Sequence, residues 1–466
     1  MKVAVENLGI IRKADFEVGD LTIICGNNNT GKTYATYALY GFISFWNEAF
    51  SPVLFGDEAV NKLFNSGSIK IDLDEIHRNS NDIVDQACKE YIKQLPMVFA
   101  AAEKHFSNTD FKVCINESEI DFSNIEEAIQ TIGPNRKPVF NLSKKRGEHF
   151  VTINMVAKAE DIDEINKDWI IHWVTRQTLD IVFGRVFPEV FIASIERTGA
   201  TIFRRELDFI RNRLLENVSN RDKDIDPFAL IDAINDKRYA LPVKADVEFN
   251  RNLEDVVKKE SAISQINPDI LKSFDSIVGG EYKSTKEGFY YVPDKGNVKL
   301  SMGEGSSSVR SLLNMGIYIR HIANPGDILM IDEPELNLHP MNQRRMARTL
   351  AKLVNAGVKV FITTHSDYII KEFNTLIMLN RSDASAGRVM EKYQYQENEL
   401  LDAGRIKAYI AKKELITIEG AKKRQRHNTF VLAPIDKYGI EISDFDETIN
   451  KMNEIQDELL FGGQVT

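Results

Sequence analysis

Residues 21–33 read Leu21-Thr22-Ile23-Ile24-Cys25-Gly26-Asn27-Asn28-Asn29-Thr30-Gly31-Lys32-Thr33. The first five are apolar except for Thr22, the mark of a short strand buried on both faces. The next eight match G-x-x-x-x-G-K-[ST], and Lys32–Trp46 continues as an apolar-rich helix, so the motif has the strand–loop–helix context it requires. The glycines let backbone N–H groups wrap phosphates at the helix N-terminus, where the dipole favours negative charge. Candidate ligands of a nucleotide are therefore Gly26, Asn27, Asn28, Asn29, Thr30, Gly31, Lys32 and Thr33. Lys32 would reach the β- and γ-phosphates of ATP, and Thr33 would hold Mg²⁺. At average residue usage the pattern arises by chance in a chain this long on the order of one or two times in a hundred.

Three further segments fit around this one. Asp327–Asp332 is an apolar strand that ends in two carboxylates, Asp332-Glu333. A carboxylate at a strand tip suits Mg²⁺, which assigns the metal to Thr33 and Asp332. Glu333 suits orienting or deprotonating an attacking water, and the adjacent pair favours hydrolysis over transfer to a bound acceptor. Thr363-Thr364-His365-Ser366 follows the next strand, where His365 is placed to hydrogen-bond a γ-phosphate. The catalytic candidates are thus Glu333, His365 and Lys32. Upstream, Ser306, Ser307 and Ser308 open a helix and offer a second phosphate-binding N-terminus. The chain already has its own phosphate loop, so this helix is free to cap the nucleotide of a partner subunit. A plain Ser-rich capping turn is the bland alternative.

Elsewhere, Lys2–Glu6 and Ala14–Val18 alternate like strands. Glu281–Val292 reads as a hairpin; Ser307–Ile322, Met341–Val354 and Ser366–Phe373 as helices; Val358–Thr363 and Leu376–Leu379 as strands. Strands alternating with helices imply βαβ units and a mainly parallel sheet. The fold expected is α/β: one nucleotide-binding core assembled from both ends of the chain. Residues 1–50 carry its N-terminal part and 279–400 its C-terminal part. Residues 51–278 form a mostly helical insertion with a core strand near 190–199, and 401–466 form a hairpin and a helix. Within the insertion, helices are expected at Leu73–Leu95, Trp169–Phe183, Thr201–Leu215, Pro227–Ile234 and Leu253–Ser276, with a strand at Phe111–Ile115. No heptad pattern persists over several repeats, so a long coiled-coil arm is not expected.

The 466 residues carry 59 Lys and Arg against 69 Asp and Glu, a net charge of −10, which argues against a dedicated nucleic-acid-coating or polybasic membrane protein. Three scattered cysteines, Cys25, Cys88 and Cys114, suggest a reducing compartment without a disulfide framework. No run approaches 18 apolar residues and Glu6 interrupts any leader-like stretch, so a cytoplasmic chain without a membrane partner is expected.

Together the four segments resemble the heads of ABC-type P-loop ATPases. Within these they resemble the branch shared by the chromosome-maintenance (SMC), RecF-like and overcoming-lysogenization-defect (OLD) proteins. Glu333-Pro334-Glu335-Leu336-Asn337-Leu338-His339-Pro340 looks like that branch's form of the segment after the catalytic glutamate. Phe191–Gly199, with Glu196-Arg197, is similar to a strand of stand-alone ATPases in anti-phage systems of the Septu and PARIS type. The resemblance implies an ABC-type head fold, ATP and Mg²⁺ as cofactors, and a head-to-tail homodimer or higher even homo-oligomer closing around two nucleotides. It further implies a separately encoded effector, a nuclease or toxin, and a DNA or phage-encoded trigger. Two stretches compete as the signature segment, Leu300–Glu304 and Gly305–Leu312. No glutamine loop is identifiable.

Weaker signals read as structure. Ile416–Gly420 with Asp444-Phe445-Asp446 is similar to the start and acidic pair of a Toprim nuclease domain, but the chain between Glu419 and Asp444 is too short for that fold. The Lys/Arg-rich stretch Leu401–Phe430 reads as a solvated hairpin tip rather than a DNA-binding patch. His339 and Cys25 read as structural, and Asp444–Leu460 as an amphipathic docking helix. Three functions compete: an ATPase sensor or scaffold of bacterial defence, a RecF/SMC-like repair or chromosome-maintenance ATPase, and the ATPase subunit of a transporter.

Overall fold

Strands with two buried faces need cover on both sides, and different parts of this chain supply the two sides. The computed structural model describes residues 1–54, 57–132, 138–156, 167–203, 239–285, 288–296, 298–381, 383–417 and 424–461. The strands in chain order are β1 (Lys2–Leu8), β2 (Ile11–Glu17), β3 (Leu21–Gly26), β4 (Ser68–Asp72), β5 (Asp110–Cys114) and β6 (Glu127–Ile132). They continue as β7 (Pro138–Lys144), β8 (Phe150–Met155), β9 (Val190–Ala193), β10 (Gly280–Thr285) and β11 (Gly288–Pro293). Next come β12 (Leu300–Ser301), β13 (Ile328–Asp332), β14 (Lys359–Thr364), β15 (Ile406–Ile416) and β16 (Gln425–Leu432), and the short pair β17 (Ile435–Asp436) and β18 (Gly439–Ile440) closes the order.

The main sheet has nine strands in the order β5-β1-β2-β16-β15-β3-β14-β13-β9. From β15 to β9 every pairing is parallel, and β1 pairs antiparallel with β2 and β5. The expected mixed, mainly parallel α/β sheet is the one observed, with β5 and β9 joining it from the middle of the chain. Alternate residues of the central strands serve two cores. Ile24, Met330 and Phe361 face the helix Lys32–Leu54 and the insertion. Ile23, Leu329, Ile331 and Ile362 face the helices Ser307–His321, Pro340–Asn355 and Asp367–Leu379. The one polar residue inside β3, Thr22, is satisfied by accepting a hydrogen bond from Gly19 N at 2.9 Å.

Register sets the site. Ile24 pairs with Thr363, Asp332 also pairs with Thr363, and Ile331 pairs with Ala193. The carboxyl ends of β3, β14, β13 and β9 therefore lie side by side, the edge at which open α/β sheets bind ligands.

Three expectations are corrected. Leu376–Leu379 is not a strand: it closes the helix Asp367–Leu379, whose buried Ile369, Ile370, Phe373, Leu376 and Ile377 keep helical spacing. Leu253–Ser276 is not one helix but three pieces, Leu253–Val256, Ala262–Ile266 and Pro268–Val278. Pro268 lacks an N–H and disfavours helix at the residue before it. The insertion also contains an antiparallel sheet, β4-β8-β7-β6, which the helical reading did not include. Its alternation is short: Phe140 and Leu142 on β7, beside a buried Val139 that breaks the alternation, and Val151 and Ile153 on β8. Helices are observed at Leu73–Arg78, Ser80–Ile92 and Lys167–Phe183, and a strand at Asp110–Cys114, close to expectation. The Pro227–Ile234 reading, most of the Thr201–Leu215 reading and Glu419 lie outside the described residues.

Candidate nucleotide-binding site

The loop after β3 turns on two glycines for which no side chain has room. Gly26 has φ +130° and a Cβ there would lie 2.3 Å from the Ala411 carbonyl oxygen of β15. Gly31 has φ +102°, and its Cβ would meet Ile11 at 2.3 Å. Lys32 is buried and folds its Nζ back to the carbonyls of Gly26 (3.1 Å) and Asn27 (2.8 Å). Burial lowers its pKa, while Asp332, Glu333 and Glu335 pull it back up.

A cavity of about 360 Å³ opens above this loop. Asn28 to Thr33, Asp332, Glu333 and His365 all line it. Thr33 Oγ1 donates to Asp332 Oδ2 at 3.1 Å, and the Thr363 hydroxyl donates to the other carboxylate oxygen. A hydroxyl beside a carboxylate at the floor of a phosphate loop is an oxygen-only donor set, which fits Mg²⁺. Burial raises the Asp332 pKa against these two hydrogen bonds. Glu333 stands at φ +53°, a left-handed conformation that costs a side-chain-bearing residue of order 1 kcal/mol or more and persists only where neighbours enforce it. Its carboxylate is raised by burial and then by Asp332. His365 Nε2 lies 3.6 Å from Glu333 Oε1. Its pKa is lowered first by burial and then by Lys32, both of which favour the neutral imidazole.

Ser306, Ser307 and Ser308 are not among the residues lining this cavity. Ser306 is the N-cap of the helix Ser307–His321, accepting from Val309 N, whereas Leu300–Ser301 belongs to β12. Of the two competing stretches, the second therefore opens the helix. His339 caps the helix Pro340–Asn355 through Met341 N, and Cys25 is buried with its Sγ 3.4 Å from the Tyr409 carbonyl oxygen, both structural as expected.

Several residues of the site carry no motif signal. Ile10, at the β1–β2 turn, and Tyr34 complete the cavity wall. Glu335 is partly buried and fixes the histidine loop: it accepts from His365 N at 2.6 Å and from the Thr364 hydroxyl at 2.9 Å. Glu196 accepts from the Tyr37 hydroxyl at 2.9 Å, and Arg197 donates to four main-chain carbonyls. Glu335 and the Glu196-Arg197 pair stand in segments that the sequence singles out by resemblance, without a role for any of the three.

Beneath them, Asp246 accepts from Ser194 N at 3.0 Å and from Asn314 Nδ2 at 2.7 Å. Burial pushes its carboxyl up to about 7, against those bonds and the Arg197 charge. In an unfolded chain the group titrates near 4. Its contribution to stability is therefore full below about pH 4 and is lost as pH rises through about 7. Asp246→Asn, which does not titrate, is expected to flatten the fall in melting temperature between about pH 5 and 8. An unchanged slope would show that Asp246 titrates normally.

No curated protein matches the chain. Among solved structures, matches include an SMC head bound to the C-winged helix domain of ScpA, 11% identical, covering 94% of this chain and 98% of that one with TM-score 0.33. Another is the SMC head domain from Thermotoga maritima, 11% identical, covering 93% and 98% with TM-score 0.29. A third is an Smc head domain with an extended coiled coil, bound to the C-terminal domain of ScpA derived from Pyrococcus furiosus. It is 12% identical, covering 98% of both chains with TM-score 0.28. The model of the AAA ATPase domain matches residues 1–370, and with the phosphate loop and both carboxylates inside that span, the chain belongs to the AAA ATPase domain family.

Proposed function

We propose that the protein is a Mg²⁺-dependent ATPase that closes around ATP as a head-to-tail homodimer or higher even homo-oligomer. We infer further that it acts in a bacterial anti-phage defence system, holding or releasing a separate nuclease or toxin. One observation carries the hydrolytic part: Lys32, the Thr33–Asp332 oxygen pair, Glu333 and His365 share one cavity. The loop amides and Lys32 bind and neutralise the terminal phosphates. Thr33 and Asp332 would hold Mg²⁺, whose charge supplements that of Lys32 on the phosphate oxygens. Glu333 takes the attacking water's proton and orients it, work suited to a carboxylate whose pKa is raised by burial. Neutral His365 carries an N–H to offer the γ-phosphate or Glu333. The serine-opened helix N-terminus lies outside its own chain's cavity, which supports a role toward a second chain's nucleotide.

The defence role is supported by the resemblance of Phe191–Gly199. The C-terminal helix Ser443–Phe461 supports a partner: residues 451–460 are exposed, Met452, Ile455, Leu459 and Leu460 among them. The repair reading draws on the exposed Lys413, Arg424 and Arg426 of the β15–β16 hairpin. Among the described residues no helix is long and apolar enough to cross a membrane. Affinity purification of Glu333→Gln with Mg-ATP from native cells separates these readings. A stoichiometric nuclease or toxin supports the defence role, DNA alone favours repair, and a membrane protein overturns both.

A further inference from the structure

The Glu196-Arg197 pair stands where β9 ends, beside the Asp332 strand, and nothing in the P-loop reading uses it. Arg197 is 3% exposed, and the hydrogen bonds its guanidinium makes all go to main-chain carbonyl oxygens. Nη1 donates to Ser194 O and Asp332 O, both at 2.7 Å; Nη2 donates to Glu333 O at 2.7 Å; Nε donates to Ser311 O at 2.9 Å. One side chain thus ties three segments together: the end of β9, the carboxylate turn, and the first turns of the helix opened by Ser306–Ser308.

Burying a guanidinium is costly unless its donors are satisfied and carboxylates lie near. Here the carboxylates whose charge acts on it are Asp246, Asp332, Glu335 and Glu333, yet among the described residues its hydrogen bonds go to carbonyls and not to a carboxylate. A charge placed this way is not serving as an ion pair. Its planar fork, with donors fixed in direction, is what matches four carbonyls on separate segments, and a lysine ammonium has only one nitrogen to offer.

Glu333 shows what the fork accomplishes. Its left-handed φ of +53° needs both flanking peptides held. Glu333 N donates to Thr363 O at 3.0 Å on one side, and Arg197 grips Glu333 O on the other. These two bonds set the direction in which the Glu333 side chain leaves the backbone, which is into the cavity. The link to the serine-opened helix is doubled, because Ser311 Oγ also donates to Leu336 O at 3.1 Å. A shift of that helix therefore moves the peptides on which Glu333 is built.

We propose that Arg197 is a positioning residue for hydrolysis: it holds the Asp332–Glu333 turn in its strained conformation and makes the orientation of Glu333 depend on the seating of the Ser306–Ser308 helix. The proposal rests on the reading of Glu333 as the water-orienting carboxylate. Its test is a double-mutant cycle on the full chain in Mg-ATP, with Arg197→Lys, Glu333→Gln and the two combined. Lysine keeps the charge and much of the volume, and ATP-binding stoichiometry counts the folded sites in each variant. Arg197→Lys is expected to lower kcat per folded site by about 10²-fold, the size of effect that a small misplacement of a reacting group produces. KM should stay within about threefold, and in the Glu333→Gln background the same change should add little further loss. Independent, multiplying losses would overturn the proposal, and so would a kcat within about threefold of the parent. An unmutated chain that binds ATP and does not hydrolyse it would overturn the ATPase reading itself, before any Arg197 variant is measured.

Discussion

Glu333→Gln is expected to lower ATP hydrolysis by about 10²–10⁴-fold, the range over which a positioned general base acts, or about 3–5 kcal/mol of barrier. ATP binding is expected to survive. The amide keeps the shape of the carboxylate at a position whose backbone is held by Thr363 O and Arg197, so the turn need not move. What disappears is an acceptor basic enough to take a proton from water. Removing a negative charge next to Asp332 also lessens like-charge repulsion at the cavity floor, so affinity for Mg-ATP should rise slightly or stay level. Rapid-quench measurement of phosphate release, beside equilibrium titration of ATP, checks both halves. Hydrolysis within about threefold of the parent would remove Glu333 from the mechanism and leave Asp332 and His365 to be tested in its place.

The second large effect falls on binding. Lys32→Ala is expected to weaken ATP affinity by at least about 10²-fold, or about 2.7 kcal/mol. Lys32 is a buried cation next to Asp332, Glu333 and Glu335. Without it a phosphate chain would enter a cavity lined by Asp332 and Glu333 with no cation of the loop to offset them. The low dielectric of a buried site makes that repulsion far stronger than it would be at the surface. Calorimetric titration with ATP reads the loss directly. An affinity within about threefold of the parent would mean that the loop amides alone hold the nucleotide. A normal melting temperature in the same variant separates this effect from unfolding.

Much of this site is local, and local chemistry can be read along the chain. The phosphate loop needs glycines at positions where a Cβ collides, as Gly26 against Ala411 and Gly31 against Ile11 show, and that need leaves a contiguous pattern. Asp332-Glu333 and His365 each end a run of apolar residues, so their strand-tip placement follows from burial on both faces. The helix boundaries near Ser307, Pro340 and Ser366 follow from capping residues. Periodicity failed where it was short or interrupted. It made a strand of Leu376–Leu379, the end of a helix; it missed the break at Pro268; and it did not register the small antiparallel sheet of the insertion.

The sequence by itself determined the α/β class, the assembly of the core from both ends of the chain, and Lys32, Thr33, Asp332, Glu333 and His365 as one set, because each is announced by its own neighbours. Only the tertiary structure decided which strands adjoin, and through them what supports the set. Thr363 reaches Asp332 because β13 and β14 pair in register; Glu335 reaches His365 across a turn; Arg197 reaches Asp332, Glu333 and Ser311 from more than a hundred residues away. The Arg197 bonds run to backbone carbonyls, which any residue type presents, and the other two depend on the register and turn that bring a carboxylate to its donor. They leave no trace in the composition or spacing of the segments they join, and they appear only once the chain has closed on itself.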